Sequence, residues 1–98
     1  MKIIDIQKAI DTIAEEHGWY DANSEKPQTP RNLATSISLE VAELLENFQW
    51  SDLGDKKNIG EELADIIIYA SQLSNVMNID LSKEISKKLE INKKRAWK

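Results

Sequence analysis

The sequence predicts an all-α chain of four helices. Three observations carry that expectation. Apolar residues recur at three- and four-residue spacing in four separate segments, no segment reads convincingly as a strand, and the connections are rich in Asn, Ser, Asp, Gly and Pro. No internal repeat or low-complexity tract interrupts the pattern.

Helix one is expected from Ile3 to about His17, where Ile3, Ile6, Ala9, Ile10, Ile13 and Ala14 form the periodic face and Gly18 offers a stop. The stretch "WYDANSEKPQTPRN" follows, with two prolines and no apolar period; it is long for a connection in so small a chain, and such loops commonly serve function. Pro30 suits the first turn of a second helix running to about Trp50. "SDLGDKKN" makes the next turn. A third helix is expected from roughly Ile59 to Met77, and "NID" leads to Leu81 and a fourth segment in which Ile85, Leu89 and Ile91 alternate with lysines.

Ninety-eight residues make one small domain over 1–98. A chain this short buries a modest fraction of its surface, so lending an apolar face to another copy of itself is favourable and a homo-oligomer is expected. The net charge of −4 disfavours a general nucleic-acid binder, since phosphate contacts require a basic surface. With no cysteine there are no disulfides, thiolate nucleophiles or sulfur metal sites. The N-terminal "MKIIDIQKAI" carries Asp5 and Gln7 where an export signal would be apolar, and no run is long enough to span a bilayer. The expectation is a cytoplasmic protein without membrane or nucleic-acid polymer as partner.

The acids of helices two and three carry the functional signal. At about 100° per residue, Leu33, Ile37, Val41, Leu44, Leu45 and Phe48 share a broad apolar sector, with Glu40 at its edge. Glu40 and Glu43 then form an acidic strip flanked on its far side by Leu39. In helix three, Ile59, Leu63, Ile66, Ala70, Leu73 and Met77 define an apolar face whose range includes Glu62, with Asp65 about 60° away. Glu46 and Glu61 read as more exposed. Ionised carboxylates placed beside apolar faces are costly unless something positive lies between them: a lysine, an arginine or a divalent metal. Glu40-x-x-Glu43 facing Glu62-x-x-Asp65 would offer oxygen donors only, a set suited to Mg2+ or Mn2+ with substrate phosphates as further ligands.

With these residues in view, the chain resembles the MazG-like nucleoside triphosphate pyrophosphohydrolases, and in particular their small dCTP-pyrophosphatase branch. The likeness spans roughly Trp19 to Arg95 and rests on "PRNLATSISLEVAELLENFQW", "EELADIIIY" and "KKLEINKKR" in that order. The family pattern is Glu-Glu-x-x-Glu followed downstream by Glu-x-x-Asp. Here Leu39 stands in place of the first glutamate and takes no role, while Glu40, Glu43, Glu62 and Asp65 match.

The resemblance implies a MazG-like four-helix bundle completed by homodimerisation, with a dimer of dimers common in the family. It implies Mg2+ held by those four acids and hydrolysis of a nucleoside triphosphate to monophosphate and pyrophosphate by water attacking the α-phosphorus. Glu43 or Glu46 is then left as the base, because Glu62 and Asp65 are committed to metal. Lys88, Asn92 and Arg95 lie along one helical face and are implied as phosphate ligands. Trp19 and Trp50 are implied to enclose the base, with Tyr69 against sugar or phosphate. At the position two residues before Pro-Arg-Asn the branch has histidine, where this chain has Gln28, so its base preference is open.

His17 reads as an end-of-helix residue, Arg31 as a phosphate contact or a helix-start ion pair, and Trp97 as an interface cover or an exposed tail residue. Two rival functions share the same acids. One is phosphoribosyl-ATP pyrophosphohydrolase. The other is a non-catalytic helical module binding nucleotide or protein, its acids neutralised by lysines such as Lys56 and Lys57.

Overall fold

The computed structural model describes residues 1–95, arranged as α1 (Ile3–Glu16), α2 (Pro30–Glu46), α3 (Lys56–Val76) and α4 (Leu81–Lys94), with no strand among them. The helices begin where side chains can cap them. Thr29 accepts from the Asn32 N–H with Pro30 in the first turn, and Asp80 accepts from the Lys83 N–H. Asp55 accepts from the N–H groups of Lys57 and Asn58, so α3 starts at Lys56, three residues before the expected Ile59. The helix ends are equally local. Gly18 (φ +64°) and Asn78 (φ +56°) adopt the left-handed conformation, and the N–H groups of Trp19 and Ile79 reach back to the carbonyls of Ala14 and Ser74. His17 is the C-cap of α1, as its position suggests.

Helix two stops at Glu46 rather than Trp50 because Asn47 turns its side chain back on the helix and across to α3. Its amide lies 2.8 Å from Asn58 Oδ1, and its own Oδ1 accepts from the Asp55 N–H at 3.3 Å. This clasp folds α2 and α3 into an antiparallel hairpin, the most extensive helix contact; α1 packs on α3, and α4 makes a smaller contact with α1.

Among the described residues, the fully buried apolar side chains are Ile10, Ala14 and Leu33; Gln7, Glu62, Ser71, Gln72 and Ser74 are buried beside them. The stripe Ala64, Ile67, Ser71, Ser74 turns toward α1, since Ala64 and Ile67 line an apolar groove with Ile6, Ile10 and Ile13. Ser71 and Ser74 satisfy their hydroxyls on the carbonyls of Ile67 and Ala70, which leaves a small, hydrogen-bonded surface for α1 to pack upon. Gln7 and Asn75 lock the two helices. Gln7 donates to Asn75 Oδ1 and to the Ile79 carbonyl at 3.0 Å each, and Asn75 donates to the Gln7 carbonyl at 2.8 Å and to Asp11 at 2.9 Å.

Part of the expected apolar sectors of α2 and α3 stays outside the hairpin seam. Val41, Leu45, Phe48, Leu63 and Met77 are all exposed in the single chain. The contact runs instead along Leu33, Ser36, Glu40, Glu43 and Asn47 on α2 and Asn58, Glu62, Asp65, Tyr69 and Gln72 on α3, two stripes with alternating three- and four-residue steps. Polar side chains thus occupy the inner seam and leave apolar surface outside. No helix of the described residues is long and apolar enough to cross a membrane. Trp97 lies outside the described residues.

Candidate functional site

Helix phasing brings Glu40 from α2 together with Glu62 and Asp65 from α3: one carboxylate oxygen from each falls within 4.8 Å of the others. Glu62 is buried and Glu40 half-buried. Each presents a buried oxygen, Oε2, that no hydrogen-bond partner reaches. Lys56 and Lys57, the neutralising lysines of the binding-module alternative, form no ion pair with these acids; Lys87 pairs with Glu84, a helix turn apart on α4.

The electrostatics follow from this crowding. A hydrogen-bonding contact with the Glu40 carboxyl, and then burial, raise the Glu62 pKa from its ordinary value; the charges of Glu40 and Asp65 push the same way, and a contact with Glu43 opposes them. Glu43 therefore joins the cluster through Glu62. On the turn side of Glu62 an acidic cleft of about 500 Å³ opens between Glu43, Glu46, Asn47, Asp55 and Asn58. Glu46 faces this cleft together with Glu43, the other candidate base.

A second cleft, also about 500 Å³, lies toward the other end of the hairpin. It is lined by Trp19, Ser24, Glu25, Lys26, Gln28, Tyr69 and Gln72. The long loop before α2 thus supplies one wall and α3 the other. Trp19 stacks on His17 with ring centroids 5.7 Å apart, leaving it partly exposed at the cleft edge. Gln72 is buried and donates to Gln28 Oε1 at 2.8 Å, while Gln28 donates to the Lys26 carbonyl at 2.8 Å. Tyr20, beside Gln72, donates to Asp11 at 3.3 Å; burial and then the Asp11 charge raise its pKa.

Three of the residues expected around the base, Trp19, Gln28 and Tyr69, therefore share one cleft. Trp50 does not line it: it sits in the α2–α3 turn, 90% exposed. Lys88, Asn92 and Arg95 lie on or just after α4, which packs on α1, and none of them lines either cleft. Gln72 was missed. The available signal was its spacing, seven residues after Asp65 and three after Tyr69 on one stripe.

A family model described as MazG-like matches residues 35–97, nearly the whole of α2 through α4. The chain belongs to the MazG-like family. It is 32% identical to dCTP pyrophosphatase 1 of Homo sapiens over 101 residues, covering 93% of this chain and 56% of that protein. The protein of the same name from Rattus norvegicus is 30% identical with the same coverage. The MazG-like chain thus spans a little over half the length of these relatives. The crystal structure of a pyrophosphatase from Archaeoglobus fulgidus DSM 4304 is similar in fold, with a TM-score of 0.76 at 34% identity, covering 96% of this chain and 91% of that one.

Proposed function

We propose that this MazG-like chain hydrolyses nucleoside triphosphates, deoxynucleotides such as dCTP foremost, to the monophosphate and pyrophosphate in a nucleotide-pool cleaning role. The observation that carries this reading is the pair of buried, unpartnered oxygens on Glu40 and Glu62 beside Asp65. Left alone, such a group is costly; a divalent cation removes both the repulsion and the unsatisfied acceptors. The all-oxygen donor set fits Mg2+, with Mn2+ an alternative. The family and the named relatives support the same chemistry.

Glu40, Glu43, Glu62 and Asp65 would hold the ion. When bound, it neutralises phosphate charge and lowers the pKa of bound water. The chain's own residues then account for the rest. The Asn47–Asn58 bond fixes the hairpin end so that Glu43 and Glu46 face the acidic cleft, where either carboxylate is placed to accept a proton from an attacking water. The loop-walled cleft next to Tyr69 takes the sugar and base, with Trp19 supplying a stacking face. Lys88, Asn92 and Arg95 are proposed to meet phosphate in an assembled homodimer or tetramer, since within one chain none of them lines the acidic cleft. The exposed apolar residues Leu39, Val41 and Leu45 on α2 and Leu63, Ile67 and Ile68 on α3 support such an assembly.

The test is product analysis on a panel of deoxy- and ribonucleoside triphosphates with Mg2+, comparing the chain with Glu62→Ala. Monophosphate plus pyrophosphate, lost in the variant, supports the proposal. Inactivity across the panel rejects it in favour of phosphoribosyl-ATP hydrolysis or a binding module.

A further inference from the structure

The orientation of the Gln28 amide is fixed from both sides. Its Nε2 donates to the Lys26 carbonyl and its Oε1 accepts from Gln72 Nε2, each at 2.8 Å. Gln72 cannot swing away, being 2% exposed and bounded by Tyr20. Gln28 itself is only half-buried and lines the cleft with Trp19 and Tyr69. After these two bonds it retains one N–H and one carbonyl lone pair, a donor and an acceptor side by side.

We infer that Gln28 reads the edge of the nucleobase and that Gln72 is the positioning residue that selects an amino-bearing pyrimidine over a keto-bearing one. The inference rests on the proposed placement of phosphates on the acids. Seven residues of helix separate Asp65 from Gln72, about 10 Å along the axis, with Tyr69 between. A nucleotide with its phosphates at Asp65 therefore brings its base to Gln28.

The choice of base follows from which end of the amide is deeper. Oε1 points to buried Gln72, and Nε2 points to Lys26 in the exposed loop. A pyrimidine entering with its exocyclic group foremost meets the acceptor first and the donor second. Cytosine, with an N4 amino group and an N3 acceptor, matches both. Uracil presents O4 and N3–H, and mismatches both. A bidentate amide–base pair of this kind discriminates by roughly tenfold or more.

The experiment is calorimetric binding of dCMP and dUMP to the full chain, to Gln72→Met and to Gln72→Glu, with circular dichroism as the folding control. The original chain is expected to bind dCMP at least about tenfold more tightly than dUMP. Gln72→Met frees the Gln28 amide to rotate and brings the ratio toward one. In Gln72→Glu a carboxylate draws Gln28 Nε2 inward, because a charge-assisted bond is stronger than a neutral one, and the preference reverses. Equal binding of the two nucleotides by the original chain, binding of neither, or an unchanged ratio in folded Gln72→Met overturns the inference. Because binding is read without turnover, these results stand apart from hydrolysis. A chain that hydrolyses dCTP and dUTP equally retains the proposed reaction and loses this inference; one that discriminates in binding without hydrolysing either does the converse.

Discussion

The carboxyl groups of Glu40 on α2 and Glu62 on α3 lie against each other across the hairpin seam, and each keeps a buried oxygen without a hydrogen-bond partner. Two acids in contact are an unfavourable arrangement for folding alone. The molecule tolerates it because the surrounding seam is held elsewhere, at one end by Asn47 with Asn58 and at the other by Leu33, Gln28 and Gln72.

Adding Mg2+ to metal-free protein is expected to raise its melting temperature, since a ligand that binds only the folded chain stabilises it by mass action. At a concentration about a hundredfold above Kd the shift for a domain of this size is roughly 10 °C or more. Glu62→Gln should abolish most of the shift while leaving the helical circular dichroism spectrum unchanged. Differential scanning fluorimetry with and without EDTA measures both.

The Glu62 pKa also sets a pH dependence. Because the folded chain holds this proton more tightly than the unfolded chain, its contribution to stability is fully present below the ordinary glutamate value and is lost as pH rises through the raised one. Metal-free protein should therefore lose stability on going from acid to neutral pH at this site, and Glu62→Gln should flatten that decline. Urea unfolding in EDTA across the carboxylate range provides the comparison.

Asn47→Ala is expected to destabilise the chain by about 1–3 kcal/mol, because it removes the bond to Asn58 and leaves half-buried polar groups unpaired. The substitution should also lower hydrolytic turnover, as the same clasp sets Glu43 and Glu46 against the cleft. Urea unfolding gives the stability loss, and steady-state kinetics give the second effect.

Gly54→Ala should cost about 1–3 kcal/mol. Gly54 has φ +64°, and an added Cβ would sit 2.8 Å from Ile59 Cδ1 and 3.1 Å from Phe48 Cε1. Both strain and contact act in the same direction. Thermal unfolding of the variant provides the check.

Sequence periodicity made the helices legible and set the acids of α2 and α3 facing one another, yet it did not tell how much of the apolar sectors stays outside the seam. Phasing orders residues around one helix; it does not say which arc meets a neighbour. Val41, Leu45 and Leu63 belong to the apolar sectors that phasing defines and are exposed in the single chain. Glu40, Glu43, Glu62 and Asp65 were recoverable because carboxylates beside apolar residues are conspicuous. Gln72 and the Asn47–Asn58 clasp were not, because an isolated amide in a helix carries no motif and gains its meaning from a partner distant in sequence. Within one chain Trp50 sits in the turn that follows Asn47, outside the Trp19–Gln28–Tyr69 cleft, a placement that periodicity along one helix does not give.

The most direct test of the account is dCTP turnover in 18O-enriched water with Mg2+, following products by mass spectrometry for the chain and for Glu62→Gln. The account predicts one 18O in dCMP, unlabelled pyrophosphate, and loss of both products in the variant. Label in pyrophosphate, release of dCDP and inorganic phosphate, or undiminished turnover by Glu62→Gln would contradict it.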